Sequence, residues 1–97
     1  MAKFIVNFLD EVKEKFSEDL LKKHIEHLRD LSRNRILFLC GLYKDDSRGM
    51  LILEAETMED AEAYIQQDPF IIHKYYGNYT IRELLEANEK NNFLMKE

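Results

Sequence analysis

The chain has 97 residues, 45% of them hydrophobic and 34% charged, which is one small domain with too much apolar matter for disorder. Fourteen Lys and Arg against nineteen Asp and Glu give a net charge of -5, which argues against a domain built to neutralise phosphate backbones, so no nucleic acid partner is expected. A lone cysteine, Cys40, excludes an internal disulfide and a cysteine-based zinc site, as expected of a reducing compartment.

In chain order, Phe4 to Leu9 is rich in Phe, Ile and Val and predicts a buried strand. Asn7 and Asp10-Glu11 break the apolar opening and no small-residue cleavage pattern follows, so it does not read as a signal peptide. From Phe16 the period changes: Phe16, Leu20, Leu21, His24, Leu28 and Leu31 recur among charged residues as on an amphipathic helix, with Ser17 as its cap. Ile36 to Tyr43 is a continuous apolar run of strand length, which predicts a strand covered on both faces. The run falls well short of the roughly 20 residues of a membrane span, so no membrane is expected and the cytoplasm is the expected setting. Lys44 to Gly49 is a polar turn leading to a second strand, Met50 to Ala55, and the two predict a hairpin. Thr57 caps a second helix that ends at Asp68-Pro69, since a residue before proline disfavours the helical region. After an irregular stretch, Tyr75 to Ile81 predicts a fourth strand, and Arg82 to Lys90 a short helix with a frayed end at Asn91 to Glu97. The expected division is a domain over residues 1–84 and a helical tail over residues 85–97.

Strand, helix, strand, strand, helix, strand is the order of the ferredoxin-like βαββαβ arrangement, an α+β fold with a four-stranded antiparallel sheet. Two helices cover one face of that sheet, yet Ile5, Leu9, Met50 and Ile52 make the other face apolar as well. A second copy of the chain is the economical cover, which predicts a homodimer with sheets packed face to face and leaves a higher oligomer open.

At roughly 100° per residue the first helix places Phe16, Leu20, Leu21, His24, His27, Leu28 and Leu31 in an arc of roughly 140°, His24 near its middle and His27 near its edge. An imidazole facing the sheet requires a hydrogen-bonding partner, and a satisfied core histidine and a functional one are both compatible with that position. Asp68 before Pro69 ordinarily caps local backbone amides; it gains chemical interest if it accepts from His24, because a carboxylate on an imidazole fixes the tautomer and stabilises the imidazolium. Other patterns fail: His24 and His27 lack zinc-protease spacing, so no metal is expected, and Gly41, Gly49 and Gly77 are too scattered for a phosphate loop. No cofactor is called for. Cys40 reads as an inert core residue, and the basic residues Lys22, Lys23, Arg29, Arg33 and Arg35 as a solvated face.

Taken together, His24 on the first helix, the Ile36 to Gly41 strand closed by its glycine, Glu54-Ala55-Glu56-Thr57-Met58-Glu59-Asp60-Ala61 and Asp68-Pro69-Phe70 resemble the YciI-like (YCII-related) domain family, from about Lys3 to Leu84. The resemblance implies a dimeric α+β barrel, similar to muconolactone isomerases and chlorinated-hydroquinone dehydrochlorinases, with a histidine and aspartate pair as the proposed active site. By position the pair is His24 and Asp68, with Phe70 beside it. The chain departs from the family pattern where a glycine is usual, at Arg35 and Lys74, and where an arginine one turn before the histidine is replaced by Leu21, which counts against anion binding there.

The resulting expectation is an acid/base enzyme of isomerase, lyase or dehydrochlorinase type acting on a small organic acid or lactone. His24 moves the proton, Asp68 orients it, and Phe8, Phe70 and Tyr76 wall the pocket. The alternative is a non-catalytic binding or assembly module in which the same pair is a buried polar latch. A haem or quinol monooxygenase of the same architecture is a third reading, kept open by His73 and opposed by the lack of tryptophan and of an axial-ligand motif.

Overall fold

A computed structural model of the chain describes residues 1–46 and 48–96. Its strands are β1 (Ala2–Glu11), β2 (Leu37–Leu42), β3 (Gly49–Ala55) and β4 (Tyr76–Leu84), and its helices α1 (Glu18–Arg33), α2 (Met58–Gln66) and α3 (Pro69–Ile72). The strands form one four-stranded sheet in the order β2-β3-β1-β4, with every neighbouring pair antiparallel. This is the expected α+β architecture. No helix among the described residues is long and apolar enough to cross a membrane.

Strand alternation sorts the side chains between two faces. Phe4, Val6 and Phe8 of β1 and Leu51 and Leu53 of β3 are all at most 3% exposed; Val6, Phe8, Leu51 and Leu53 pack with Leu20 and Leu31 of α1, Ile65 of α2 and Phe70 of α3, and Phe4 packs with Ala55 and Ala61. Local chemistry starts each helix where the sequence indicates. Ser17 Oγ accepts the Leu20 N–H at 3.1 Å and Thr57 Oγ1 accepts the Asp60 N–H at 3.1 Å, satisfying amides that the first helical turn leaves without partners. Phe16 stands before the helix rather than in its buried arc, half-exposed, with its ring 5.8 Å from that of Tyr75.

Two strand expectations are corrected. Strand β2 is not covered on both faces: Phe38, Leu39 and Leu42 are 56%, 52% and 70% exposed, because β2 is an edge strand paired with β3 alone. Its register shifts between Leu37 and Leu39, a bulge that carries Phe38 to the open face, where Lys3 Nζ lies 4.9 Å from its ring centre. The second correction concerns Arg82 to Lys90, which does not form a helix. Arg82, Glu83 and Leu84 continue β4 opposite Ile5, Phe4 and Lys3, and a 3-10 segment, Glu89–Leu94, follows after a break. The irregular stretch after Pro69 contains α3, one turn of helix.

The sheet face turned away from the helices carries half-buried Ile5, Leu9, Met50 and Ile52 together with exposed Phe38, Leu39 and Leu84. Asn7, Thr80 and Arg82 interrupt it. An apolar surface of this kind is what a partner face presents.

Arg35 and Lys74, the two positions where glycine is usual in the resembled family, both adopt φ of 60°, in the left-handed region. At the end of α1, Ile36 N–H bonds Leu31 O at 2.8 Å and Arg35 N–H bonds Ser32 O at 3.1 Å, the paired bonds of a Schellman closure with Arg35 in the seat glycine prefers. The backbone conformation is retained although the residue that accepts it most easily is absent. Arg35→Gly and Lys74→Gly should therefore each stabilise the fold by about 0.5–1 kcal/mol, the relief of left-handed strain less the added entropy of an unfolded glycine. Urea denaturation measures this, and unchanged or lowered stability in both variants contradicts it.

Candidate active site

Asp68 sits at the junction of α2 and α3, with φ of -68° and ψ of 125°, an extended conformation of the kind that a following proline favours. Pro69 then occupies the first position of α3, where a missing N–H is no loss, and Asp68 Oδ1 accepts the Phe70 N–H at 2.9 Å. The same carboxylate faces α1, where His24 Nδ1 lies 2.8 Å from Oδ1 and 3.0 Å from Oδ2. Asp68 is fully buried, and the His24 side chain is 12% exposed. An ionised carboxylate can only accept, so in this pair Nδ1 carries the hydrogen and donates it. In the neutral ring Nε2 is then left with a lone pair.

Aromatic packing holds that imidazole in plane. The His24 and Phe70 rings stack with centres 4.0 Å apart and planes 13° from parallel. Phe70 meets Tyr76 edge-on at 5.7 Å, and Tyr76 stacks on Phe8 at 4.8 Å. His24, Phe8, Phe70 and Tyr76 all line one cavity of about 240 Å³ between α1 and the β2–β3 hairpin. Leu21, Leu28 and Leu51 supply much of its remaining wall, and no Lys or Arg is among the residues lining it. A cavity this size holds a single substituted ring.

Tyr76 and Tyr75 flank Phe70 and are electrostatically distinct. Burial, the larger cause, raises the Tyr76 phenol above its ordinary range, the nearby Gly49 backbone amide partly opposes this, and the carboxylates of Glu11, Asp68 and Asp46 add to it. Tyr75 is raised further, by burial and then by the hydrogen bond its hydroxyl donates to Glu11. Both hydroxyls therefore stay protonated through the neutral range.

The structure thus brings together His24, Asp68, Phe8, Phe70 and Tyr76. Other residues singled out in the sequence lie elsewhere. His27, at the edge of the apolar arc, is half-buried, and its Nε2 donates to the Tyr64 carbonyl at 3.1 Å, tying α1 to α2. His73 is exposed at the end of α3 and is not part of the cavity wall. Cys40 is exposed and lines the cavity, which corrects its reading as a core residue; β2 is an edge strand and leaves it uncovered. Gly49, which the sequence marks as a turn former, belongs to the wall, where a Cβ would stand 3.2 Å from the Phe8 ring. No group of three or more His, Cys, Asp or Glu suited to a metal occurs among the described residues.

No curated protein sequence matches the chain. Among solved structures, 5-chloro-2-hydroxyhydroquinone dehydrochlorinase (TftG) from Burkholderia phenoliruptrix AC1100, in complex with 2,5-dihydroxybenzoquinone, is similar in fold. The TM-score is 0.66 at 17% identity, over 93% of this chain and 99% of that one. The family model of the YCII-related domain matches residues 4–88, nearly the whole chain. The chain belongs to the YCII-related domain family.

Proposed function

We propose that the protein is a small acid–base enzyme of isomerase, lyase or dehydrochlorinase type, with His24 as the proton carrier and Asp68 as the group that orients it. The observation that carries this reading is the His24–Asp68 hydrogen bond, which fixes the ring while its other nitrogen remains available at an apolar cavity. A base held in one tautomer against an apolar wall is arranged for proton transfer. His24 Nε2 takes a proton from the ligand, the buried carboxylate of Asp68 stabilises the imidazolium, and the proton returns at another atom or a leaving group departs. In an elimination the electron pair of the broken C–H bond forms the new double bond as the leaving group carries its own pair away. The similar fold of TftG, solved with 2,5-dihydroxybenzoquinone bound, supports a compact ring as the ligand.

The lining refines the ligand class. Without Lys or Arg in the wall, a free carboxylate would have no permanent cation to meet, whereas a neutral ring gains from Phe8, Phe70 and Tyr76. A lactone or a hydroxylated ring therefore suits the cavity better than an open-chain acid. A second reading, a binding module, is favoured by one observation: Asp68 also caps α3 and is fully buried, so the pair would be kept as a structural latch even without chemistry.

The same proposal includes a homodimer formed through the open sheet face, since Ile5, Ile52, Phe38 and Leu39 present an apolar surface that one chain leaves open. Sedimentation at micromolar concentration should give twice the 11.6 kDa chain mass, and the double variant Ile5→Lys, Ile52→Lys should sediment as a monomer. A wild-type monomer, or a variant that still dimerises, contradicts this interface.

Turnover separates the two functional readings. Chloride release from 5-chloro-2-hydroxyhydroquinone and isomerisation of small neutral lactones, followed by NMR, are the assays. His24→Gln should lower the rate on any active substrate by about 10²–10⁴-fold with the fold intact. Asp68→Asn should lower it as well, by more than its change in melting temperature explains. A rate unaffected by both substitutions contradicts the enzyme reading. Absence of turnover by the wild type across these substrates, with binding retained, favours the binding module.

A further inference from the structure

The cavity contains a second polar group whose hydrogen-bonding is incomplete. The Tyr76 hydroxyl oxygen lies beside the Gly49 backbone, and both residues line the same cavity as His24. Among the described residues no acceptor takes the hydroxyl hydrogen. Tyr75 is different, because its hydroxyl is committed to Glu11. The position of Tyr76 is firmly set: the residue is 4% exposed, and its ring stacks on Phe8 at 4.8 Å with planes 12° apart. Its oxygen lies near Gly49, 3.7 Å from where a Cβ would stand. Phe70 separates the Tyr76 ring from the His24 ring, touching the first edge-on and the second face-on.

We propose that Tyr76 is a second catalytic residue, a hydrogen-bond donor that holds the ligand oxygen on which negative charge gathers when His24 withdraws a proton. The inference rests on the acid–base reading of His24 and specifies the ligand class: a neutral ring bearing a carbonyl or phenolic oxygen. Removing a proton beside a carbonyl moves the C–H pair into a new C–C double bond and the carbonyl π pair onto oxygen. That oxygen needs a donor. The cavity wall has no cation to supply one, and the imidazole is occupied with the proton it has taken. Tyr76 donates without giving up its hydrogen, since burial keeps the phenol protonated. When the imidazolium returns its proton to a carbon further along the system, the oxygen regains a carbonyl bond and the isomerisation is complete.

Two probes of the same shape isolate this donor. 4-Nitrophenol has an oxygen that becomes anionic near neutral pH, and nitrobenzene has the ring without it. Calorimetric titration of the wild type and of Tyr76→Phe, which keeps the ring stacked on Phe8, should show 4-nitrophenol weakened roughly 10- to 100-fold by the substitution. Nitrobenzene should change by less than about twofold, because packing is preserved. Wild-type protein carrying 3-fluorotyrosine, a stronger donor of nearly the same size, should shift 4-nitrophenol the opposite way and bind it more tightly. If Tyr76→Phe leaves both probes unchanged, or weakens both alike, the donor role is overturned while the His24 reading stands. If the wild type binds neither probe, the ligand-binding cavity is overturned and both inferences fall together.

Discussion

Burial of the Asp68 carboxylate is the constraint from which the rest of the site follows. A carboxylate removed from water and left alone would be severely destabilising, so its oxygens must be met by donors. Two are available and both are used: the Phe70 amide at the start of α3 and the Nδ1 of His24 on α1. One side chain therefore joins the helix that precedes the hairpin to the turn that follows it. Because Asp68 takes up Nδ1, the imidazole can turn neither its plane nor its tautomer freely, and Phe70, positioned by the same carboxylate, stacks on the ring it helps to fix. The helix cap and the His24 contact coincide at one carboxylate, so the latch and the enzyme readings share a geometry and separate only at Nε2.

The cavity is made by what does not cover it. Helix α1 lies over the sheet with Leu20 and Leu31 buried, whereas Leu21 and Leu28 flank His24 and face the gap beside the edge strand β2. Were β2 central, a neighbouring strand would adjoin Cys40 and Leu42. Its edge position leaves a recess whose walls are apolar and whose polar groups include an imidazole and a phenol. Apolar side chains make up most of its lining, and no Lys or Arg is among the lining residues.

Much of this was legible in the residues. Period changes at Phe16 and Ile36, the caps at Ser17 and Thr57, and the break at Asp68-Pro69 mark element types because each is a local rule, and local rules need no partner to act. Local rules do not suffice where a distant strand decides. Arg82 to Lys90 contains good helix formers, yet the first three of them pair with Lys3 to Ile5, and the ladder overrides propensity. The apolar run at Ile36 reads as doubly buried because composition reports the apolar surface a strand carries and not whether one chain alone covers it. For the same reason Cys40, exposed in the structure, reads as a core residue in the sequence. His24 and Asp68 stand 44 residues apart, and no spacing rule joins them; the family resemblance connected them, whereas a lone Asp-Pro would have implied only a turn. The left-handed backbone at Arg35 and Lys74 was visible only through the same resemblance, since arginine and lysine give no sign of it.

The central claim is that His24 presents a bare Nε2 to the cavity because Asp68 holds its Nδ1–H. Long-range ¹⁵N–¹H NMR on ¹⁵N-labelled protein reads the protonation of each ring nitrogen directly. Neutral His24 should be the Nδ1–H tautomer in the wild type, and this preference should be lost in Asp68→Asn, whose side-chain amide can turn either end toward the ring. A neutral wild-type ring protonated at Nε2, or one whose two nitrogens are the same in wild type and variant, would contradict it.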